Sequence, residues 1–374
     1  MLPRKKAVIR TTLAVLVCTG LVACGDSDDP PATAEDPAME TVSAGMVGAI
    51  DQIGLPAALD QGYFEAAGVV VEVAEPFATG VDQLNALETD QIQIAQVGTP
   101  LIGAVLSGAD YVILGNYTGS ASQLGIDETM GVVARDGSGI VEGDLASLAG
   151  KNIGVAVGSI NHLYLLSVLE AHGMVPEDVE IINTAPPDMG VALQTGGIDA
   201  AIVWDPWPMI IEDQVEGSYE VARGGGYIGF VGYIVAKREW AEANQDVVEA
   251  FLTARAAADQ WMRENPDDAA EVAARWLSNL DPEIAREAMR FNVAQLDPRI
   301  SACNYAALDA AVTTLHDLGS IDGTFDVSTV FAPGPINAVV AEKPDLFDDL
   351  PPIPAGAEVS DGFAFDPAAG LCTG

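Results

Sequence analysis

The chain has 374 residues, 49% of them hydrophobic and 19% charged, and its 16 Lys and Arg against 55 Asp and Glu give a formal net charge of −39. This length exceeds the ~250–300 residues over which a single core keeps growing, so two or more domains are expected. The acidity excludes nucleic acid and anionic lipid surfaces, which draw affinity from Lys and Arg, and the positive mean hydropathy excludes a disordered acidic chain.

The amino terminus opens with Arg4, Lys5, Lys6 and Arg10, continues through an apolar run over 11–23 and reaches Cys24. That run is shorter than the ~20 residues that span a bilayer, which predicts a secretory signal over 1–23. Leu21-Val22-Ala23-Cys24 is similar to the lipobox of bacterial lipoproteins, whose cysteine is acylated and becomes the new amino terminus; an ordinary signal cleaved near Ala23 is the alternative. Loss of those four cations takes the charge from −39 to −43. Residues 24–40 are acidic and rich in Pro and Ala, without apolar periodicity, as in a flexible tether. Of the four cysteines, Cys18 leaves with the signal and Cys24 would carry lipid. Cys303 and Cys372 are then expected to pair in an oxidising compartment, strapping the Pro-rich tail (351–374) to the body, unless both stay free thiols.

From Thr41 onward, apolar runs alternate with helical patterns, the signature of βαβ units. Strands are expected at 41–50, 69–75, 91–97, 111–116, 152–157, 179–183 and 199–204, and helices at 55–67, 81–88, 100–107, 161–172 and 188–194. LETDQIQIAQVGTP (87–100) aligns without gaps on LQTGGIDAAIVWDP (193–206), matching at Leu, Thr, Ile, Ala, Val and Pro, which suggests two similar α/β lobes. After Tyr219 a glycine-rich stretch (224–229) precedes a strand at 230–236. Helices are then expected at 246–264, 266–279, 282–292, 305–318 and 334–342. Arg255, Arg263, Arg275, Arg286, Arg290 and Arg299 lie along them, as solvated faces or internal ion pairs.

Catalytic chemistry has little to work with. The three histidines, His162, His172 and His316, fit no metal-ligand spacing, and neither a nucleophile elbow nor a phosphate loop occurs. Gly224-Gly225-Gly226-Tyr227-Ile228-Gly229 spells GxGxxG but leads into a strand, so a bend between lobes is the better reading. The loops at strand carboxyl ends are rich in small, polar and aromatic residues, and ligands of open α/β sheets bind at that edge. Ser159 and Thr79 are candidate helix caps whose free N–H groups suit a small anion, or they simply cap.

LDQGYFE (59–65), MGVVARDGSG (130–139), LASLAGKNIGV (145–155) with Gly158-Ser159, GIDAAIVWDP (197–206) and a helical stretch over 257–274 broken at Asn265-Pro266-Asp267 together resemble one family. It comprises the substrate-binding lipoproteins of bacterial ABC importers of the nitrate/sulfonate/taurine type, which share a domain with thiamine-pyrimidine synthases. The likeness spans 41–292. It implies an α/β, two-lobed type II periplasmic-binding-protein fold with a hinge and a helical C-terminal region, closing on its ligand. Lobe I is expected at 41–134 and 235–350, lobe II at 135–234, with crossings near Arg135 and Ile234. By motif position Gln52, Thr79, Gly80 and Thr99 become lobe I contacts, and Ser159, Asn161, Trp204 and Asp205 lobe II contacts. The resemblance implies a non-enzymatic monomer without cofactor or metal, lipid-anchored outside the cytoplasm and partnered by an ABC permease.

No Lys or Arg occurs over 25–134, so an anion there must be held by backbone N–H groups, hydroxyls and Gln52. That disfavours multiply charged ligands and suits a sulfonate. Asp205, flanked by Trp204 and Trp207, is the candidate for an ammonium group, with cation–π support of ~0.5–2 kcal/mol, which favours taurine or a similar zwitterion. The alternatives are nitrate, a thiamine-pyrimidine precursor or riboflavin stacked on Tyr117, Trp204, Trp207 and Tyr227, or a synthase-like enzyme. The export signal and the lack of a Cys-rich motif argue against the enzyme.

Overall fold

Short runs rich in Val, Ile and Ala extend because β-branched side chains pack well on a pleated surface. In the computed structural model, which describes residues 41–372 except 125, 230, 231, 278 and 279, ten strands are found among the described residues. The expected signal over 1–23, the Cys24 anchor and the tether over 24–40 lie outside the described residues. The strands are β1 (Thr41–Gly45), β2 (Val70–Val73), β3 (Ile94–Val97), β4 (Tyr111–Thr118), β5 (Met130–Ala134), β6 (Asn152–Val155), β7 (Glu180–Asn183), β8 (Ala200–Trp204), β9 (Tyr219–Arg223) and β10 (Gly232–Lys237).

They build two sheets of the same design, β2-β1-β3-β10-β4 and β7-β6-β8-β5-β9. In each, the first three strands pair in parallel. The fourth is antiparallel to both its neighbours; in the first sheet it is β10, which returns from beyond the second sheet, and in the second it is β5, the first strand after the outgoing crossing. The fold is the two-lobed type II α/β architecture, and the segments aligned in the sequence supply the central strands β3 and β8. The strands at 130–134 and 232–237 therefore lie within the sheets rather than between them. The chain crosses between sheets after β4 and before β5, and again after β9 and before β10, in both cases a few residues before the crossings placed at Arg135 and Ile234, because β5 already belongs to the second sheet and β10 to the first.

Other differences have local causes. The helix expected at 55–67 is two, Gly54–Asp60 and Tyr63–Ala66, interrupted at Gly62, whose φ of 73° is left-handed and suits glycine. The strand expected at 41–50 stops at Gly45, and a 3-10 turn covers Ile50–Gln52. β9 gave no clear sequence signal because it is a half-buried edge strand of mixed polarity. Three helices after β10 start where a proline occupies the first turn: Pro266–Trp276, Pro282–Asn292 and Gly334–Glu342. Arg255, Arg263, Arg275, Arg286 and Arg299 each pair with a carboxylate. Arg255 is wholly buried against Asp259, and its guanidinium lies where a side chain at residue 54 would stand, which restricts that position to glycine. In the tail, Tyr305 stacks on Phe331 and meets Phe363, and Cys303 and Cys372 are bonded at 2.03 Å.

One carboxylate ties the two crossings together. Asp127, on the outgoing crossing and 1% exposed, accepts hydrogen bonds from the N–H groups of Gly226 (2.8 Å), Tyr227 (2.7 Å) and Ile228 (3.2 Å) on the returning one. Gly224, Gly225 and Gly226 all have positive φ, so the return bends sharply enough to bring three amides onto one carboxylate. Burial raises the Asp127 carboxyl, and the three donors pull it back. Asp127→Ala leaves those amides without their acceptor, and a stability loss of about 1–3 kcal/mol is expected in urea unfolding.

Candidate functional site

The loops leaving the carboxyl ends of β1, β3, β6 and β8 converge where the two lobes meet. There they enclose a cavity of about 30 Å³, lined by Val47, Ala49, Asp51, Gln52, Gly80, Gln96, Gly98 and Tyr117 from the first lobe and Ser159, Ile160 and Trp204 from the second. One water needs roughly 10–15 Å³ by the same measure, so this conformation admits only a small solute. No Lys or Arg lines it among the described residues.

The lobes touch directly around the cavity. The Ile50 N–H donates to the Asp205 carbonyl at 3.1 Å, and the Trp207 indole N–H donates to the Gly48 carbonyl at 2.9 Å. Arg223 reaches across, its guanidinium 4.7 Å from the ring centre of Phe291.

Five of the ten residues expected at the ligand line this cavity: Gln52, Gly80, Tyr117, Ser159 and Trp204. Gln52 acts as a clasp, its Oε1 accepting from the Val47 N–H at 2.7 Å and its Nε2 donating to the Gln96 carbonyl at 3.0 Å. Burial and the neighbouring Asp51 charge raise the Tyr117 phenol well above its ordinary value, so it stays neutral. Ser159 caps the helix Ile160–Ala171, whose first amides precede any intrahelical bond; its hydroxyl donates to the Ala156 carbonyl at 2.7 Å. Burial lowers His162 in the next turn, so no cation arises there.

The other five are placed elsewhere. Thr79 caps the helix Gly80–Glu88, its hydroxyl accepting from the Asp82 N–H at 3.2 Å. Thr99 faces a separate cavity of about 10 Å³ with Ile160 and Tyr233. Asn161 donates to the Ile202 carbonyl at 3.0 Å and fastens the helix to β8. Trp207 faces a larger cavity of about 450 Å³, beside Phe77, Ile210, Trp276, Asp213 and Asp281. Asp205 overturns the expectation most directly. Its buried carboxylate accepts from Arg223 Nη1 at 2.7 and 2.8 Å and lies outside the cavity lining, so its acceptors are turned to a cation already in place, although burial outweighs Arg223 and raises the carboxyl to about 7.

Asp51 and Gln96 were missed. Asp51 is 3% exposed within the apolar run Ala49-Ile50-Asp51-Gln52-Ile53, and burial pushes its carboxyl up to about 7. A lone acid in an apolar stretch was the available signal, since buried carboxylates are rare without a purpose.

The family described as NMT1/THI5 like matches residues 49–269. A Bacillus subtilis protein assigned to aliphatic sulfonates binding is 27% identical over 279 residues, 73% of this chain and 80% of its own length. The taurine-binding periplasmic protein of Escherichia coli is 28% identical over 197 residues, 51% of this chain and 57% of that protein. Among solved structures, the alkanesulfonate-binding protein SsuA from Xanthomonas axonopodis pv. citri bound to MOPS superposes with a TM-score of 0.70 at 21% identity, over 80% of this chain and 99% of that one. The desulfurization enzyme DSZB shares the fold too, with a TM-score of 0.61 at 17% identity over 81% and 99%.

Arg223 supports the Asp205 loop by pairing a carboxylate whose side chain is fully buried. Arg223→Ala leaves that charge uncompensated and is expected to cost about 3–5 kcal/mol in urea unfolding, with much of the loss recovered when Asp205→Ala is added.

Proposed function

Because the chain belongs to the NMT1/THI5-like family, we propose that it is the solute-binding component of an ABC importer, taking a small sulfonate of the taurine type between two lobes that close on it. The observation that carries this reading is the cavity itself: small, lined from both lobes, and without a cation. A ligand that touches both lobes stabilises the closed form, which is how binding drives a hinge. Its anionic end is served by the amides that open the helix at Ile160 and by the Trp204 indole N–H, since a helix N-terminus favours negative charge by ~0.3–1 kcal/mol. A multiply charged anion would lack a counter-cation. The named binding relatives support transport over catalysis for this chain.

One second reading has an observation of its own. The cavity of about 450 Å³ carries Phe77, Trp207 and Trp276 beside Asp213 and Asp281, a lining that suits a neutral or cationic heterocycle such as a pyrimidine or a flavin.

A thermal-shift and calorimetric screen of the purified protein against taurine, alkanesulfonates, nitrate, pyrimidines and riboflavin separates the two. Stabilisation of ~2.7 kcal/mol is expected with a sulfonate ~100-fold above its Kd; a response confined to the heterocycles selects the larger cavity, and a response to nitrate alone removes the sulfonate. The working site is taken to be the outer face of the cell membrane, reached through the signal over 1–23 and held by lipid on Cys24. Cys24→Ser is expected to move the protein from the membrane fraction to the soluble one, and unchanged fractionation would remove the lipid anchor.

A further inference from the structure

Three buried polar atoms of the residues lining the small cavity have no hydrogen-bond partner among the described residues: Asp51 Oδ1, Gln96 Oε1 and Trp204 Nε1. The three residues are 3%, 1% and 5% exposed, so water does not satisfy these atoms from outside. Buried polar groups are nearly always paired, because a bare one forfeits its hydration without return. Three in one cavity of about 30 Å³ describe the complement of a ligand. Two of them accept and one donates. The polar atoms of Gln52 and the hydroxyl of Ser159 are already engaged with backbone and cannot fill the gap.

We propose that Asp51, with Gln96, is the ammonium subsite of the cleft, holding a protonated amine of the solute while the Trp204 indole N–H and the helix start at Ser159 hold its anionic end. This rests on the cleft being the sulfonate site and names which sulfonates it takes. An ionised carboxylate in a cleft without cations repels a plain alkanesulfonate. A protonated amine reverses that, forming a charge-assisted hydrogen bond roughly twice as strong as a neutral one. The other acid beside the cleft, Asp205, is bound by Arg223. Asp51 thus selects amine-bearing sulfonates over simple ones.

The ionisation of Asp51 gives an independent readout. Its charged surroundings are Asp205, in the loop after β8 and paired with Arg223, and the neutral Tyr117 of β4; Glu287, on the helix packed against the Ile50–Gln52 turn, adds to the field at Asp205. With the Asp51 carboxyl raised to about 7 by burial, ammonium binding is full above that pH and falls by up to ~10-fold per pH unit below it.

The test is calorimetric titration of the purified full-length protein and its Asp51→Asn form with taurine, ethanesulfonate and β-alanine, between pH 5.5 and 8.5. Thermal unfolding checks that Asp51→Asn is folded. Taurine is expected to bind at least ~10-fold tighter than ethanesulfonate above pH 7, with the gap closing on acidification, and Asp51→Asn is expected to remove both the gap and its pH dependence. Equal affinities for the two sulfonates, an unchanged preference in Asp51→Asn, or an affinity for taurine that rises on acidification would each overturn the subsite while leaving the sulfonate reading standing. Binding of β-alanine, lost in Asp51→Asn, with neither sulfonate bound, would instead overturn the sulfonate reading and keep the subsite. Binding of none of the three overturns both. Should Asp51→Asn fail to fold, Asp51→Ser takes its place in the same titrations, because Asp205 is also raised to about 7 and shares the pH range.

Discussion

Asp127 stands on the outgoing crossing and gathers three amide hydrogens from the glycine-rich return, so the two passages between the lobes are fastened to each other. The rest of the site depends on that attachment. Each lobe sets an antiparallel strand next to a crossing, β5 just after the chain goes out and β10 just after it comes back, and each such strand lies between two partners. A lobe can therefore turn about the crossings, but it cannot separate from its neighbour. The loops at the strand carboxyl ends are held face to face as a result, and a cavity lined from both sides follows.

The second organising constraint is electrostatic. In a chain with 16 cations and 55 acids, the cations seen in the structure are largely committed to internal pairs. Arg223 holds the Asp205 loop, Arg255 fills the space left by Gly54, and Arg263 grips Asp349. Among the described residues, no Lys or Arg lines the cleft. Negative charge on a ligand must then be met by oriented dipoles, which suits a single delocalised charge.

Much of the fold was legible because its signals are local. Apolar runs marked eight of the ten strands, and the repeat between 87–100 and 193–206 anticipated two sheets built to one plan. Edge strand β9, with one partner and mixed polarity, carried too little pattern to read. The crossings were misplaced because β5 and β10 are as apolar as any core strand, and nothing in a linear pattern says which sheet a strand joins. The site was half legible. Residues from several of the expected loops line the cavity, yet within each loop the sequence does not tell which neighbour faces it: Gln52 became the clasp and Asp51 the open acceptor, Trp204 faced the cavity and Asp205 turned away.

By itself the sequence determined the α/β class, the doubled lobe and the absence of Lys and Arg from the first half of the first lobe, since these follow from periodicity, repetition and composition, while the family came from the likeness of its motifs. Tertiary structure alone decided which acid is free. Asp205 and Asp51 are both buried carboxylates beside hydrophobic residues, and only the position of Arg223, 18 residues beyond Asp205 in sequence and 2.7 Å from it in space, separates a structural pair from an unpartnered acceptor. Electrostatic pairing acts through distance in three dimensions, and no spacing along the chain reports it.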